Sequence, residues 1–343
     1  MLLKTEVPTP ALLLDLDVFE ANLSRMAEAA KAAGKQLRPH VKAHKCVEIA
    51  RLQLEAGACG VCVATVAEAE MMARAGVGGL LLTSPVADPI KMARIVATGA
   101  MVVVDHLRQV RWYQDAASSA NTQVDVLVDL DVGDHRTGAA NLEAAVDIAL
   151  AIDQASHLSL RGVQAYSVSG SHGQEAAPTW EIAAAARDAF ASHGLHTDIV
   201  SGGSTGTWNV DLQVPAVTEL QAGSYPLMDL AYRKIGVDFG NAMTILTTVI
   251  SANHSDFVTV DGGFKAFSTD RAFGPEVVGL ANTGYRWGGD EFGYVDGPNA
   301  KLGSRIEFIP PHCDPTVNLY DRIYACRGKH VEAIWPVMER MKV

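Results

Sequence analysis

Eight short apolar runs recur along the first two thirds of the chain, and this rhythm most limits how the chain can fold. Their mean spacing is about 26 residues, close to the ~30 of a strand–helix–strand unit. Alanine-rich stretches with helical spacing, such as VAEAEMMARAG, lie between them. The pattern predicts a (β/α)8 barrel, with a doubly wound open sheet as the alternative. The candidate strands begin near Gln36, Gly60, Gly79, Met101, Asp125, Leu160, Thr197 and Glu219.

The pattern changes after about Ile235. The stretch from Met243 to Val260 is rich in Thr, Val and Ile, and glycines with polar turns follow it. Helical patterns are missing until the C-terminal VEAIWPVMERMKV, which Pro336 breaks. We therefore expect a barrel over residues 11–235 and a mostly antiparallel β domain over residues 236–343. Residues 1–10 could belong to the β domain.

The composition excludes several classes of protein. A net charge of −11 without a basic run argues against nucleic acid as the main partner. With 48% hydrophobic and 20% charged residues, the chain can fill a large core. No apolar run approaches the ~20 residues that span a bilayer, and the N-terminus does not resemble a signal peptide. The 5 cysteines are few and odd in number, which favours a cytoplasmic location.

The first strand of the predicted barrel ends in the basic segment RPHVKAHK. Because side chains alternate along a strand, Arg38, His40 and Lys42 share one orientation. If that orientation is inward, Lys42 lies at the barrel mouth, where active sites are found. A lone lysine is usually a solvated surface residue, but the strand end and the flanking histidines favour a functional role. His40 and His44 could form a metal pair only on a helix, and the proline between Arg38 and His40 disfavours that.

Two Gly/Ser-rich segments follow the seventh and eighth strands. The first is SGGSTGT over residues 201–207, and the second is GSY over residues 223–225. Backbone N–H groups in such turns bind anions, and barrels favour phosphate at these two loops. The alternative is an ordinary glycine-rich turn. A phosphate site opposite a strand-end lysine indicates pyridoxal phosphate, which needs both.

The segment PPHCDP is a candidate metal motif. Its prolines exclude a helix interior, so we expect an extended segment in which His312 and Asp314 project to one side. Imidazole and carboxylate with open positions suit Mn or Mg. The alternative is a rigid loop with a polar tip.

Taken together, these segments resemble one family of enzymes. RPHVKAHK, DVGDHRTG, GVQAY, SGGSTGT, ELQAGSY, DGGFKAFSTDR and PPHCDPTVNLYD are similar to motifs of the D-threonine aldolase and D-serine dehydratase family. These are fold-type III pyridoxal phosphate enzymes related to alanine racemase. The resemblance covers nearly the whole chain and implies a (β/α)8 barrel followed by a C-terminal β domain.

The resemblance also implies roles for individual residues. Lys42 would form the Schiff base, Arg136 would reach the phenolic oxygen of the cofactor, and Tyr166 would lie near its ring. Gln164 is a further contact. The phosphate cradle would consist of Ser201, Gly202, Gly203, Ser204, Gly223, Ser224 and Tyr225.

By the same resemblance, His312 and Asp314 would hold the divalent metal, and His172 would act on the substrate hydroxyl. The dehydratase branch has Cys where this chain has Asp314, and Asp favours Mn or Mg over Zn. The chain therefore leans to the aldolase branch. Ser171 and Phe292 replace residues that are usually Gln and His in the family, which leaves the substrate preference open.

The expected activity is metal-assisted, pyridoxal phosphate-dependent cleavage of D-3-hydroxy amino acids, such as D-threonine to glycine and acetaldehyde. The D preference comes from the resemblance. The alternatives are a dehydratase acting on D-serine or 3-hydroxy-D-aspartate, an amino-acid racemase with two bases and no metal, and a non-catalytic cofactor carrier. A carrier needs neither the β domain nor the HCD motif. The resemblance also implies a homodimer.

Overall fold

The computed structural model describes residues 2–168, 177–280, 283–297 and 300–340. Within these ranges the chain forms two compact units. The barrel unit contains residues 26–42 and 47–223, and the β unit contains the residues up to Arg25, residues 43–46 and residues 224–340. Part of the N-terminal region thus belongs with the C-terminal half.

The strands follow one another in chain order as β1 (Ala11–Asp15), β2 (Gln36–Leu37), β3 (Val61–Val63), β4 (Leu80–Leu82), β5 (Met101–Val104), β6 (Val124–Leu130), β7 (Leu158–Ala165), β8 (Ile199–Gly202), β9 (Glu219–Leu220), β10 (Met243–Ser251), β11 (Phe257–Val260), β12 (Glu276–Val277), β13 (Tyr285–Trp287), β14 (Gly293–Asp296), β15 (Arg305–Ile309), β16 (Arg322–Arg327) and β17 (His330–Pro336).

The α-helices are α1 (Leu16–Ala32), α2 (Val47–Glu55), α3 (Val66–Arg74), α4 (Pro89–Val96), α5 (Leu107–Ser119), α6 (Leu142–Asp153), α7 (Ala177–Ser192), α8 (Trp208–Asp211), α9 (Leu230–Lys234) and α10 (Cys313–Val317). Side chains of Thr65, Asp88 and Asn141 cap α3, α4 and α6 by accepting from first-turn N–H groups. Across the described part of the chain, no helix combines the length and the apolar character needed to cross a membrane.

The eight strands β2 to β9 form the parallel sheet of the barrel unit, in the order β2-β9-β8-β7-β6-β5-β4-β3. Its two ends are joined past β2, where the Cys59 and Cys62 N–H groups donate to the Leu37 and Pro39 carbonyls at 2.9 Å each. His40 also forms a parallel bridge with Cys62. The sheet therefore closes, and the (β/α)8 prediction is confirmed. Each predicted strand start lies within two residues of the observed one.

Both faces of the barrel strands are buried, which explains their continuous apolar runs. Cys62, Leu81, Val103 and Leu127 form one small cluster. Their neighbours along the strands, such as Val61, point the other way and join the large cluster that includes the helix residues. Alternation thus divides each strand between a core inside the barrel and a core beneath the helices.

The first strand differs from its prediction. β2 stops at Leu37, and Val41–Ala43 forms a single 3-10 turn. The proline at position 39 lacks an N–H group and cannot donate to a regular ladder. Lys42 therefore lies on a turn beyond the strand, and the expected strand alternation does not extend to it.

The β unit is built around β10. Its sheet has the order β13-β14-β11-β10-β1-β16-β17, and β15 pairs with both β10 and β12. All these pairings are antiparallel except that of β1 with β16. We expected residue 11 to begin the barrel, but β1 pairs with two strands of this sheet. The first part of the C-terminal segment for which we noted a broken helical pattern, up to Pro336, belongs to β17.

A buried ion pair lies inside the barrel. Arg38 donates from Nε and Nη2 to the two carboxylate oxygens of Glu219, each at 2.9 Å. The side chains of Arg38 and Glu219 are only 9% and 4% exposed. The bidentate geometry compensates the cost of removing both charges from water. Replacing one partner by a neutral residue would leave the other charge buried without compensation.

Neutralising Glu219 should therefore destabilise the barrel. We expect Glu219→Gln to lower the free energy of unfolding in urea by about 3–5 kcal/mol, because the guanidinium stays buried without its counter-charge. Arg94→Gln is the matched control, since it breaks a bidentate pair with Glu70 on the outside of the barrel. That change should cost less than about 1 kcal/mol. Equal losses of unfolding free energy for the two substitutions would contradict the stabilising role of the buried Arg38–Glu219 pair.

Candidate active site

A cavity of about 380 Å³ lies within the barrel unit. Its volume falls in the ~300–1,000 Å³ range of small-molecule sites. Four residues predicted as cofactor contacts line it, namely Lys42, Arg136, Gln164 and Tyr166. The remaining lining residues are His40, Ala64, Thr83, Ser84, Pro85, Thr137 and Gln221.

Two cationic side chains give the cavity its positive charge. Lys42 lies on the 3-10 turn after β2, and Arg136 lies in the loop after β6. The Arg136 guanidinium carbon is 5.1 Å from the centre of the Tyr166 ring, a distance at which a cation is attracted to the ring face. This contact orients Arg136 at the cavity. The arrangement suits an anionic ligand with a flat ring.

The floor of the cavity is polar and hydrogen-bonded. Gln164 Nε2 donates to the Thr83 carbonyl at 2.9 Å and to Asp129 Oδ1 at 2.8 Å. The Thr137 hydroxyl donates to the other oxygen of Asp129 at 2.9 Å. Burial raises the pKa of Asp129 to about 6, although these hydrogen bonds oppose the shift.

The His40 ring has an assignable proton. Its Nε2 lies 2.9 Å from the Thr83 hydroxyl oxygen, and that hydroxyl donates to the Val63 carbonyl at 3.2 Å. Because the Thr83 proton is used in this way, His40 Nε2 is the donor. Nδ1 accepts from the Lys42 backbone N–H at 3.4 Å. His40 therefore holds the start of the lysine turn, and both of its ring nitrogens have hydrogen-bond partners.

The first glycine-rich loop is organised around Asp211. Asp211 accepts from Trp180 Nε1 at 2.8 Å and from the Thr207 hydroxyl at 2.5 Å. Gly203 has φ +76°, and a Cβ there would lie 2.4 Å from Asp211 Oδ2, so only glycine fits. Burial raises the pKa of Asp211. The loop is thus closely packed, and a side chain at position 203 would occupy the space beside Asp211.

The structure places the proposed phosphate residues in several environments. Ser201 is fully buried, and its hydroxyl donates to Glu219 at 2.6 Å. Gly202 has no room for a side chain, because a Cβ would lie 1.9 Å from the Ala165 carbonyl oxygen. Ser204 N–H lies 3.2 Å from the Thr207 hydroxyl. Gly223 packs on His40, whose carbonyl oxygen is 2.8 Å from the position of a Cβ.

The last two cradle residues belong to the β unit. The Ser224 hydroxyl donates to Asp314 Oδ2 at 3.0 Å. Tyr225 is buried, and its ring centre lies 5.8 Å from that of Phe239. Ser224 therefore supports a candidate metal ligand.

The HCD motif is not extended, so that prediction is wrong. His312 is the N-cap of α10, and Asp314 lies in its first turn. Pro315 is also in the first turn, where a missing N–H costs nothing because it has no helical partner. The two candidate ligands still face each other, since His312 Nε2 lies 3.9 Å from Asp314 Oδ2.

The hydrogen bonds around His312 suit a metal ligand. Its Nδ1 lies 2.7 Å from Asp270 Oδ2, so the carboxylate holds the proton on Nδ1 and leaves the Nε2 lone pair available. The backbone N–H of His312 also donates to Ser268 at 3.1 Å. Among the described residues, no group of three or more His, Cys, Asp or Glu side chains could hold a metal. His172 lies outside the described residues.

Reasoning from the sequence missed several residues at the cavity, among them Thr83, Thr137 and Gln221. The orientation of Gln221 could have been predicted from strand alternation, because Gln221 follows Glu219 by two positions at the end of the eighth barrel strand. Thr83 directly follows β4, so its place at a strand end was a second available signal. Thr137 follows Arg136 in a loop, and no sequence signal marked it as a cavity residue.

Comparison with known proteins connects this geometry to a family. A family model described as "Alanine racemase, N-terminal domain" matches residues 14–228, and one described as "Putative serine dehydratase domain" matches residues 242–326. The 3-hydroxy-D-aspartate aldolase of Paracoccus denitrificans (strain Pd 1222) is 37% identical and aligns with 99% of this chain and 94% of its own. The chain belongs to the D-threonine aldolase and D-serine dehydratase family. It is therefore a lyase of the fold-type III pyridoxal phosphate enzymes.

Two further members of the family are similar over nearly their whole length. The D-threonine aldolase of an Arthrobacter species is 35% identical, with 97% of this chain and 93% of that protein covered. The crystal structure of D-threonine aldolase from Filomicrobium marinum has a TM-score of 0.96 at 34% identity, covering 100% of this chain and 99% of that chain. The family prediction made from the motifs is confirmed.

The raised pKa of Asp129 makes a testable statement about stability. In the unfolded chain this carboxyl loses its proton near pH ~4, but in the folded protein it does so near pH 6. The folded state thus binds the proton more tightly, so Asp129 makes stability fall as pH rises through this window. Relative to Asp129→Asn, the wild type should lose about 3 kcal/mol of unfolding free energy between pH ~4 and ~7. Parallel stability curves for the two proteins, measured by urea unfolding, would rule this out.

Proposed function

We propose that the protein cleaves D-3-hydroxy amino acids to glycine and an aldehyde, using pyridoxal phosphate and a divalent metal. The observation that carries the proposal is the cavity that brings Lys42, Arg136 and Tyr166 together in a chain whose relatives include two named aldolases. The phosphate cradle over Ser201–Ser204 and residues 223–225 stays a prediction, as does the homodimer.

The residues at the cavity fit the cofactor. Lys42 supplies the amine that this cofactor needs for covalent attachment, and Arg136 supplies a positive charge for its phenolic oxygen. Glycine-only positions at 202 and 203 permit close approach of backbone N–H groups. When bound, the cofactor acts as an electron sink for bonds broken at the substrate Cα.

The residues of the β unit fit a divalent metal. His312 Nε2 and Asp314 Oδ2 are the donors, and their nitrogen–oxygen chemistry suits Mn or Mg. Asp270 fixes the histidine tautomer, and Ser224 orients the carboxylate. A metal held there supplies Lewis-acid stabilisation of the substrate β-oxygen.

The chain's own groups account for the proton movements of the proposed reaction. His172, by family resemblance, takes the proton of the substrate β-hydroxyl as the Cα–Cβ bond breaks and the aldehyde forms. The Cα of the glycine product would then take up a proton from solvent. Lys42 would supply the amine that holds the cofactor between turnovers.

Product analysis tests this proposal. We expect D-threonine and 3-hydroxy-D-aspartate to give glycine and an aldehyde. A chelator should abolish this cleavage, and added Mn should restore it. Release of ammonia and a 2-oxo acid from the same substrates would establish the dehydratase alternative instead. Unchanged cleavage in the chelator would rule out the metal, and racemisation without cleavage would establish a racemase.

The contact between Asp270 and His312 leads to a separate prediction. Asp270→Ala should weaken Mn binding by about 10–100-fold, because the histidine loses the partner that orients it and raises its basicity. Asp296→Ala is the control, since Asp296 is also a carboxylate of the β unit but pairs with Arg286 at an exposed site. Mn binding followed by electron paramagnetic resonance measures both. Equal affinities for the two variants would contradict the proposed ligand.

A further inference from the structure

Gln221 has an amide oxygen whose role follows from the hydrogen bonds around it. The side chain is 5% exposed and lines the barrel cavity. Its Nε2 donates to Gln164 Oε1 at 3.2 Å and to Ser201 Oγ at 2.8 Å. Two buried acceptors thus occupy both protons of one amide end.

The first acceptor has a fixed orientation. Gln164 Nε2 lies against the Thr83 carbonyl and the Asp129 carboxylate. A backbone carbonyl can only accept, so the NH2 group of Gln164 must face it whatever the protonation state of Asp129. Gln164 therefore presents its oxygen, and not its nitrogen, to Gln221.

The second acceptor is fixed by the buried ion pair. The Ser201 hydroxyl donates to Glu219 Oε1 at 2.6 Å, and Glu219 is the ionised partner of Arg38. With its proton used, Ser201 Oγ offers only lone pairs to Gln221. Rotating the Gln221 amide by 180° would place oxygen against two acceptors, so its orientation is determined.

The Gln221 Oε1 atom is then an acceptor at the cavity. An amide oxygen that faces a cavity can accept a hydrogen bond from water or from a donor group of a bound ligand. A ligand group that replaces water at this oxygen must therefore be a donor.

We propose that Gln221 Oε1 accepts a hydrogen bond from the protonated ring nitrogen of pyridoxal phosphate. This inference rests on the proposed function. The phosphate and the ionised phenolic oxygen of the cofactor are acceptors, whereas the protonated ring nitrogen is a donor. Gln221 therefore favours the cationic ring, the form that withdraws electrons from the substrate most strongly.

Nuclear magnetic resonance of the holoenzyme, reconstituted with cofactor labelled with nitrogen-15 in the ring, tests the protonation state directly. The wild type should show the chemical shift of a protonated pyridine nitrogen, and Gln221→Met should show that of a neutral one at the same pH. Gln221→Glu keeps an acceptor and should stay protonated. A neutral ring nitrogen in the wild type overturns the proposal even if neither variant folds.

A binding cycle provides the second readout. Apo-protein is titrated with pyridoxal phosphate and with an analogue in which a C–H group replaces the ring nitrogen. The wild type should prefer the natural cofactor by about tenfold or more, as expected for a hydrogen bond to a charged group. In Gln221→Met the ratio of the two affinities should approach one. An undiminished preference in the variant overturns the proposal, whereas a wild type that binds neither compound refutes the proposed function itself.

Discussion

The buried ion pair between Arg38 and Glu219 is the interaction on which the barrel interior depends. Glu219 accepts the Ser201 proton, and Ser201 in turn accepts from Gln221. At the other end, the Thr83 carbonyl and Asp129 fix Gln164. Every amide in this chain of hydrogen bonds therefore has one permitted orientation. Strong anchors at both ends give the floor of the cavity a defined pattern of donors and acceptors before any ligand binds.

Rigid strands and irregular turns contribute differently to the site. The strand ends of β6, β7 and β9 hold or lead into the buried amides and carboxylates of the floor, which sheet hydrogen bonds keep in register. The cationic groups, Lys42 and Arg136, come from segments beyond the strands and are exposed. This division suits a covalent cofactor, because the lysine must move when substrate replaces it while the ring support stays in place.

The sequence predicted the barrel well because its strands are buried on both faces and evenly spaced, so composition and rhythm alone mark them. It failed where pairing is distant. β1 is an ordinary apolar strand, and nothing local shows that its partners are β10 and β16. The conformation of the HCD motif was mispredicted because Pro315 excludes only a helix interior, whereas the first turn of a helix accepts it. The motif lysine and arginine were found. Gln221 was missed because alternation indicates its position at the strand end but not the hydrogen-bond partners that define its role.

The account depends most on the claim that the cavity at Lys42 binds pyridoxal phosphate covalently. Borohydride reduction of the holoenzyme, followed by peptide mapping, tests it most directly. The reduced cofactor should be found on the peptide containing Lys42, with no label incorporated by Lys42→Ala and full incorporation by Lys45→Ala. Label on Lys45 or Lys265 in the wild type would contradict the account.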